Sequence, residues 1–195
     1  SVLDFNEMND IIHDPARMEG INAIRLKPRE ELEAIFAKQR ANVLVAKPLM
    51  ESHRAKEILS QFPDSAGLWL IRNYRAVANS MMKKGGSDSG FQQLRHIAER
   101  RGTWRDEGAS DEVVETVRRF PEASLTHADA CALTWWTRNT LFFDQNLEDD
   151  NQFTLVQYEK LVSDSAYLTG KLRELGIESQ VDPDFYHQDS LHKGS

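Results

Sequence analysis

The sequence predicts an α/β fold on parallel strands, from three stretches that pair a strand with a helix. Asn42-Val-Leu-Val-Ala is a short apolar run rich in β-branched residues, cut off by Lys47-Pro48, and a helical pattern follows from about Ser52 to Phe62. Gly67-Leu-Trp-Leu-Ile-Arg is a second apolar strand, followed by helical spacing that starts near Ala76. Gln152-Phe-Thr-Leu-Val-Gln-Tyr is a third, ahead of a helix over about 165–175 that Gly176 stops. Two strand-to-helix units in series point to parallel strands joined by right-handed crossovers.

The remaining elements follow from local signals. Ser1–Gly20 mixes Phe5, Met8, Ile11 and Ile12 with acids and reads as a short helix or an irregular connector. Pro28-Arg-Glu-Glu-Leu-Glu-Ala-Ile-Phe reads as a helix, with proline and acids at its positive end and Leu32, Ile35 and Phe36 on one stripe. Gly85–Gly90 is too rich in glycine and serine to be core. Helices are predicted over about 91–100, 111–120 and 128–143, with Ser110 and Thr126 as caps, so that residues 85–145 form a helical insert in a single domain spanning 1–195. The tail after Asp182 is polar and reads as irregular, and the chain carries no internal repeat.

Composition narrows the function classes. The 195 residues carry 24 Lys and Arg against 31 Asp and Glu, a net charge of -7, which argues against coating nucleic acid through a broad basic surface and leaves room for a local anion pocket. The single cysteine, Cys131, cannot form an intrachain disulfide, and no His/Cys set has the spacing of a structural zinc site. No stretch approaches the roughly 18 apolar residues of a membrane helix, and the start lacks the pattern of a signal peptide. The expected address is the cytoplasm.

The most informative stretch is Leu68-Trp-Leu-Ile-Arg72-Asn-Tyr-Arg75-Ala-Val-Ala-Asn-Ser80. An apolar strand delivers an arginine to its C-terminal end, where ligands of open α/β sheets gather, and a serine follows in the next helix. Guanidinium, hydroxyl and the N–H groups of a helix start together suit a phosphate. Arg72 and Arg75 paired with acids around the sheet edge is an equal reading of the same residues.

Val43–Lys56, Gly67–Met81 and Phe153–Leu161 resemble consecutive motifs of the sulfotransferase family, which uses 3'-phosphoadenosine 5'-phosphosulfate as donor. The resemblance implies a three-layer P-loop-like parallel sheet with flanking helices, transfer of a sulfuryl group to a hydroxyl or amine, release of 3',5'-adenosine bisphosphate, and no metal. It implies that Arg72 and Ser80 hold the donor's 3'-phosphate. Tyr158, in Tyr158-Glu159-Lys160-Leu161, would meet the adenine side, or else lie half-buried beside the sheet. Lys47 would face the sulfonate, or else end its strand in solvent. The histidine that one branch places two residues after this lysine is replaced by Leu49; other branches use a glutamate, a role the resemblance would give to Glu7 or Glu51, both of which also read as solvated acids. Ser190-Leu-His192-Lys193-Gly194-Ser195 could begin the basic loop over the 3'-phosphate, or be polar tail.

Two departures matter. Tyr74 stands where the family's turn commonly has proline, and before Asn42 there is no strand with a Gly/Ser/Thr loop for the 5'-phosphosulfate, so an N-terminal strand is expected to be missing. The acceptor would be a small molecule, a glycan or a lipid, and a missing segment or a second subunit would cover the open sheet. Arg100-Arg101-Gly-Thr-Trp104-Arg105 and Trp135-Trp136 suit a lid or groove, or else helix packing, and His127 with Cys131 reads as a packed helix face. The competing functions are a nucleotide kinase-like P-loop protein, which needs the same absent loop, and a non-catalytic nucleotide-binding, anion-binding or interaction module.

Overall fold

The computed structural model describes residues 2–4, 29–38, 43–45 and 51–177. In chain order the elements are β1 (Val2–Asp4), α1 (Arg29–Phe36), β2 (Val43–Val45), a 3-10 turn (Ser52–Arg54) continued by α2 (Ala55–Ser60), β3 (Gly67–Ile71), α3 (Tyr74–Lys84), α4 (Ser89–Glu99), α5 (Asp111–Arg118), a second 3-10 turn (Glu122–Ser124), α6 (His127–Asp144), β4 (Phe153–Gln157), α7 (Tyr158–Ser163) and α8 (Ser165–Glu174). The strand Val2–Asp4 replaces the connector expected there and supplies a strand before Asn42, where none was expected, paired parallel with β2.

The sheet corrects the sequence prediction. Among the described residues the strands form two separate parallel pairs, β1–β2 and β3–β4, in place of one three-layer P-loop-like sheet. β2 and β3 are consecutive in the chain but do not pair; β3 pairs instead with β4, with Leu68 beside Thr154 and Leu70 beside Val156. The physical reason lies between β3 and β4. That stretch is committed to α3, α4, α5 and α6, which pack mainly on one another instead of layering over both faces of a wide sheet. Among the described residues the protein is helix-dominated, with minimal sheet.

The helical part has a core of its own. Leu94 and Ile97 of α4, Val113, Val114 and Val117 of α5, and Ala130 of α6 form one buried cluster. Their three- and four-residue spacings put each set on one helix face, and full burial of each large side chain contributes about 1.5–3 kcal/mol. α4 crosses α6 closely because of Gly90: a Cβ there would lie 2.7 Å from the Cys131 backbone nitrogen. The predicted caps are in place. The Ser110 side chain accepts from the Val113 N–H, and Thr126 and Asp129 form a reciprocal capping box at the start of α6.

α6 anchors the β3–β4 pair. Trp69 meets Phe142 with ring centroids 5.6 Å apart, and its indole N–H points at Asn139 Oδ1, 3.4 Å away. On the other face, α8 covers β4: Tyr167 Oη accepts from the Gln157 N–H at 3.1 Å, and Thr154 Oγ1 donates to Glu174 Oε2 at 3.2 Å. Leu68 and Leu70 of β3, beside the strand that α8 covers, stay 41% and 49% exposed.

Candidate functional site

The parallel register brings the ends of β3 and β4 together. Ile71 is the register partner of Gln157, so the next residues, Arg72 and Tyr158, lie side by side. The Arg72 guanidinium carbon sits 4.6 Å from the Tyr158 ring centroid, a cation–π contact at an exposed edge. Among the described residues no carboxylate forms an ion pair with Arg72.

The start of α3 completes this edge. Asn73 is its N-cap, and its side chain accepts from the Arg75 N–H at 2.9 Å. The Asn73 N–H donates in turn to Glu159 Oε1 at 2.8 Å, so one acid from α7 already serves the helix start. Arg75 Nε donates to Tyr74 Oη at 3.0 Å, and the Tyr74 ring leans on Trp135, 6.0 Å between centroids. Tyr74, which replaces the proline of the resemblance, ties this turn to α6. Ser80 lies further along α3 and is half-buried; among the described residues no hydrogen bond joins it to Arg72 or Tyr158.

The other residues singled out in the sequence lie elsewhere. Glu7, Lys47, His192, Lys193 and Gly194 fall outside the described residues. Glu51 is 2% exposed, within electrostatic reach of Arg138.

That buried corner is a polar network the sequence reading missed. Arg138 of α6 donates to Ser52 Oγ at 2.5 Å and to the Trp104 carbonyl at 3.4 Å. Burial pulls its guanidinium pKa down to about 10, and Glu51 partly offsets that. Next to it, Glu107 Oε1 accepts from Arg54 Nη2 at 2.5 Å while Glu107 Oε2 lies 3.1 Å from His53 Nε2. Gln145 accepts from the Ala55 N–H at 3.0 Å and donates to the Ser52 carbonyl at 2.8 Å. Together these contacts fasten the Ser52–Ser60 segment to α6 and to the loop before α5. The signal in the sequence is Arg138 just past the bulky Trp135-Trp136 pair of α6.

Other polar groups serve packing. Arg100 pairs with Asp111, Arg101 with Glu99 at 2.6 Å and Arg118 with Glu115 at 2.6 Å, so much of the basic sequence is neutralised locally. The His127 ring stacks on Phe91, with its Nε2 3.3 Å from Ser89 Oγ. Burial raises the Cys131 thiol pKa, against a smaller lowering by Ser89. Between α6 and the β3–β4 pair lies an apolar cleft of about 240 Å³, walled by Trp69, Ile71, Trp135, Phe143 and Leu155. Among the described residues no group of three or more His, Cys, Asp or Glu could hold a metal ion, and no helix is long and apolar enough to cross a membrane.

Compared with known proteins, the chain matches no family model, no curated protein and no solved structure. The sulfotransferase expectation is therefore corrected. The multi-stranded parallel sheet that would carry a 3'-phosphoadenosine 5'-phosphosulfate site is absent from the described residues, and the activity and donor inferred with it go too. The kinase-like alternative rested on the same sheet and falls for the same reason.

Proposed function

We propose that the protein is a non-catalytic binding module that recognises an oxyanion-bearing ligand at the C-terminal ends of β3 and β4. The observation that carries this reading is the placement of Arg72. Its guanidinium rests on Tyr158 and is oriented by it, and no ion pair among the described residues neutralises it. A planar donor fork held against an aromatic ring presents paired N–H groups to an oxyanion at little further entropic cost. Arg75, on the first turn of α3, adds a second positive charge at the same exposed edge. The Ser80 hydroxyl is a further donor on that helix, available to a ligand that extends along it. Glu159 sets a limit: its carboxylate occupies the Asn73 N–H and opposes a highly charged anion, which favours a singly or doubly charged group.

Calorimetric titration of the chain with inorganic phosphate, sulfate and pyrophosphate tests the reading, with Arg72→Ala, Tyr158→Ala and Ser80→Ala variants alongside. Binding that Arg72→Ala abolishes and Tyr158→Ala weakens supports it, and the Ser80→Ala arm decides whether that hydroxyl takes part. Equal, weak heats for the wild type and for Arg72→Ala would overturn it.

A further inference from the structure

We propose that the open edge of β3 is a self-association surface, on which a second copy of this chain pairs antiparallel to give a four-stranded sheet ordered β4–β3–β3–β4.

The Gly67 N–H donates to the Gln152 carbonyl at 2.7 Å, so Gly67, and by strand alternation Trp69 and Ile71, turn their N–H and C=O groups toward β4. Leu68 and Leu70 turn theirs the other way, and among the described residues no strand pairs there. The same two residues expose their side chains, at 41% and 49%. Natural edge strands are blunted by lysine, proline or a bulge, and Gly-Leu-Trp-Leu-Ile contains none of them.

Two copies related by a two-fold axis through Trp69 satisfy this edge. Leu68 of one copy falls opposite the partner's Leu70, and Leu70 opposite the partner's Leu68. Both are hydrogen-bonded pairs of an antiparallel ladder, which uses all four outward backbone groups of each strand. The leucines then lie side by side on one face, and the two Trp69 residues meet in the non-hydrogen-bonded position between them.

Charge selects the same partner. The turn entering β3 carries Asp64, and the turn leaving it carries Arg72 and Arg75, all exposed. An antiparallel pairing sets the Asp64 turn of each copy beside the partner's Arg75, twice over, while Arg72 stays on its own Tyr158. A parallel pairing would set like charges together at both ends.

Sedimentation velocity on the full 195-residue chain, from low micromolar to about 200 µM, tests the proposal. A concentration-dependent dimer is expected. Leu70→Lys, which places a charge on the edge, is expected to raise the dimer dissociation constant at least about tenfold with far-UV and near-UV circular dichroism unchanged. If Leu70→Lys loses its near-UV signal, Asp64→Arg decides: it is expected to weaken the dimer, and adding Arg75→Asp to restore it. A chain that stays monomeric at the highest concentration overturns the proposal, as does a dimer indifferent to both Leu70→Lys and Asp64→Arg. Phosphate binding by Leu70→Lys separates this surface from the anion site, since that variant leaves Arg72 and Tyr158 in place.

Discussion

Arg72 lies 4.6 Å from the ring centroid of Tyr158 although 86 positions separate them in the chain, because Ile71 and Gln157 are register partners in β3 and β4. One strand register therefore places both residues of the proposed anion edge.

Tyr158→Ala removes the platform beneath Arg72. An exposed cation–π contact contributes about 0.5–1 kcal/mol, so a loss of that size in urea unfolding is expected. Tyr158→Phe keeps the ring and is expected to stay within error of the wild type. Equal losses in the two variants would show that the hydroxyl and not the ring face matters.

Glu107 joins His53 and Arg54 at 3.1 and 2.5 Å in a largely buried setting. Glu107→Ala takes the closest carboxylate from both partners and leaves Arg54 its longer pair with Glu57 at 3.8 Å, so a destabilisation of about 1–3 kcal/mol is expected in denaturant unfolding. Hydrogen exchange should report faster opening of Ser52–Ser60 ahead of the α4–α5 core. A loss under about 1 kcal/mol would mean the network is solvated and weak.

Gly90→Ala sets two effects against each other. Alanine gains up to about 1 kcal/mol of helix propensity over glycine, but its Cβ would sit 2.7 Å from the Cys131 backbone nitrogen, and forcing α4 from α6 costs about 1–3 kcal/mol. The steric cost wins, and a lower melting temperature is expected. A rise would show that the two helices separate freely.

Asp129 responds to pH with a definite sign. Hydrogen bonds from the Thr126 side chain and backbone hold its carboxyl below the usual aspartate range. The folded pKa is thus lower than the unfolded value of about 3.9, so the stabilisation is fully present above that pH and is lost as pH falls through the folded pKa. Asp129→Asn is expected to flatten the acid limb of a stability–pH profile and leave its shape above about pH 5 unchanged. An unaltered acid limb would mean the capping box does not hold in solution.

Local structure was legible because its causes are local. Ser110 and Thr126 cap α5 and α6 as their side chains predict, Gly176 follows α8 with a φ of 72°, and β3 and β4 fall on the two apolar runs named for them. The sheet was not legible. An apolar run of five residues states that a strand will form, and says nothing about which other run it will meet.

What the sequence alone determined, then, is the placement of the helices and strands from Ser52 to Glu174 other than α7, the acidic balance, and the arrival of Arg72 at a strand end next to a helix start. Only the tertiary structure decided that β3 takes β4 as its partner and leaves its other edge open among the described residues, that Tyr158 lies beneath Arg72, and that Arg138, Ser52, His53 and Glu107 share one buried corner. The reason is range. Caps, turns and periodicity are set within one or two turns of chain, whereas strand partners and buried polar contacts form between residues 50 to 90 positions apart, where packing of the whole chain chooses among many apolar and charged candidates of equal local merit.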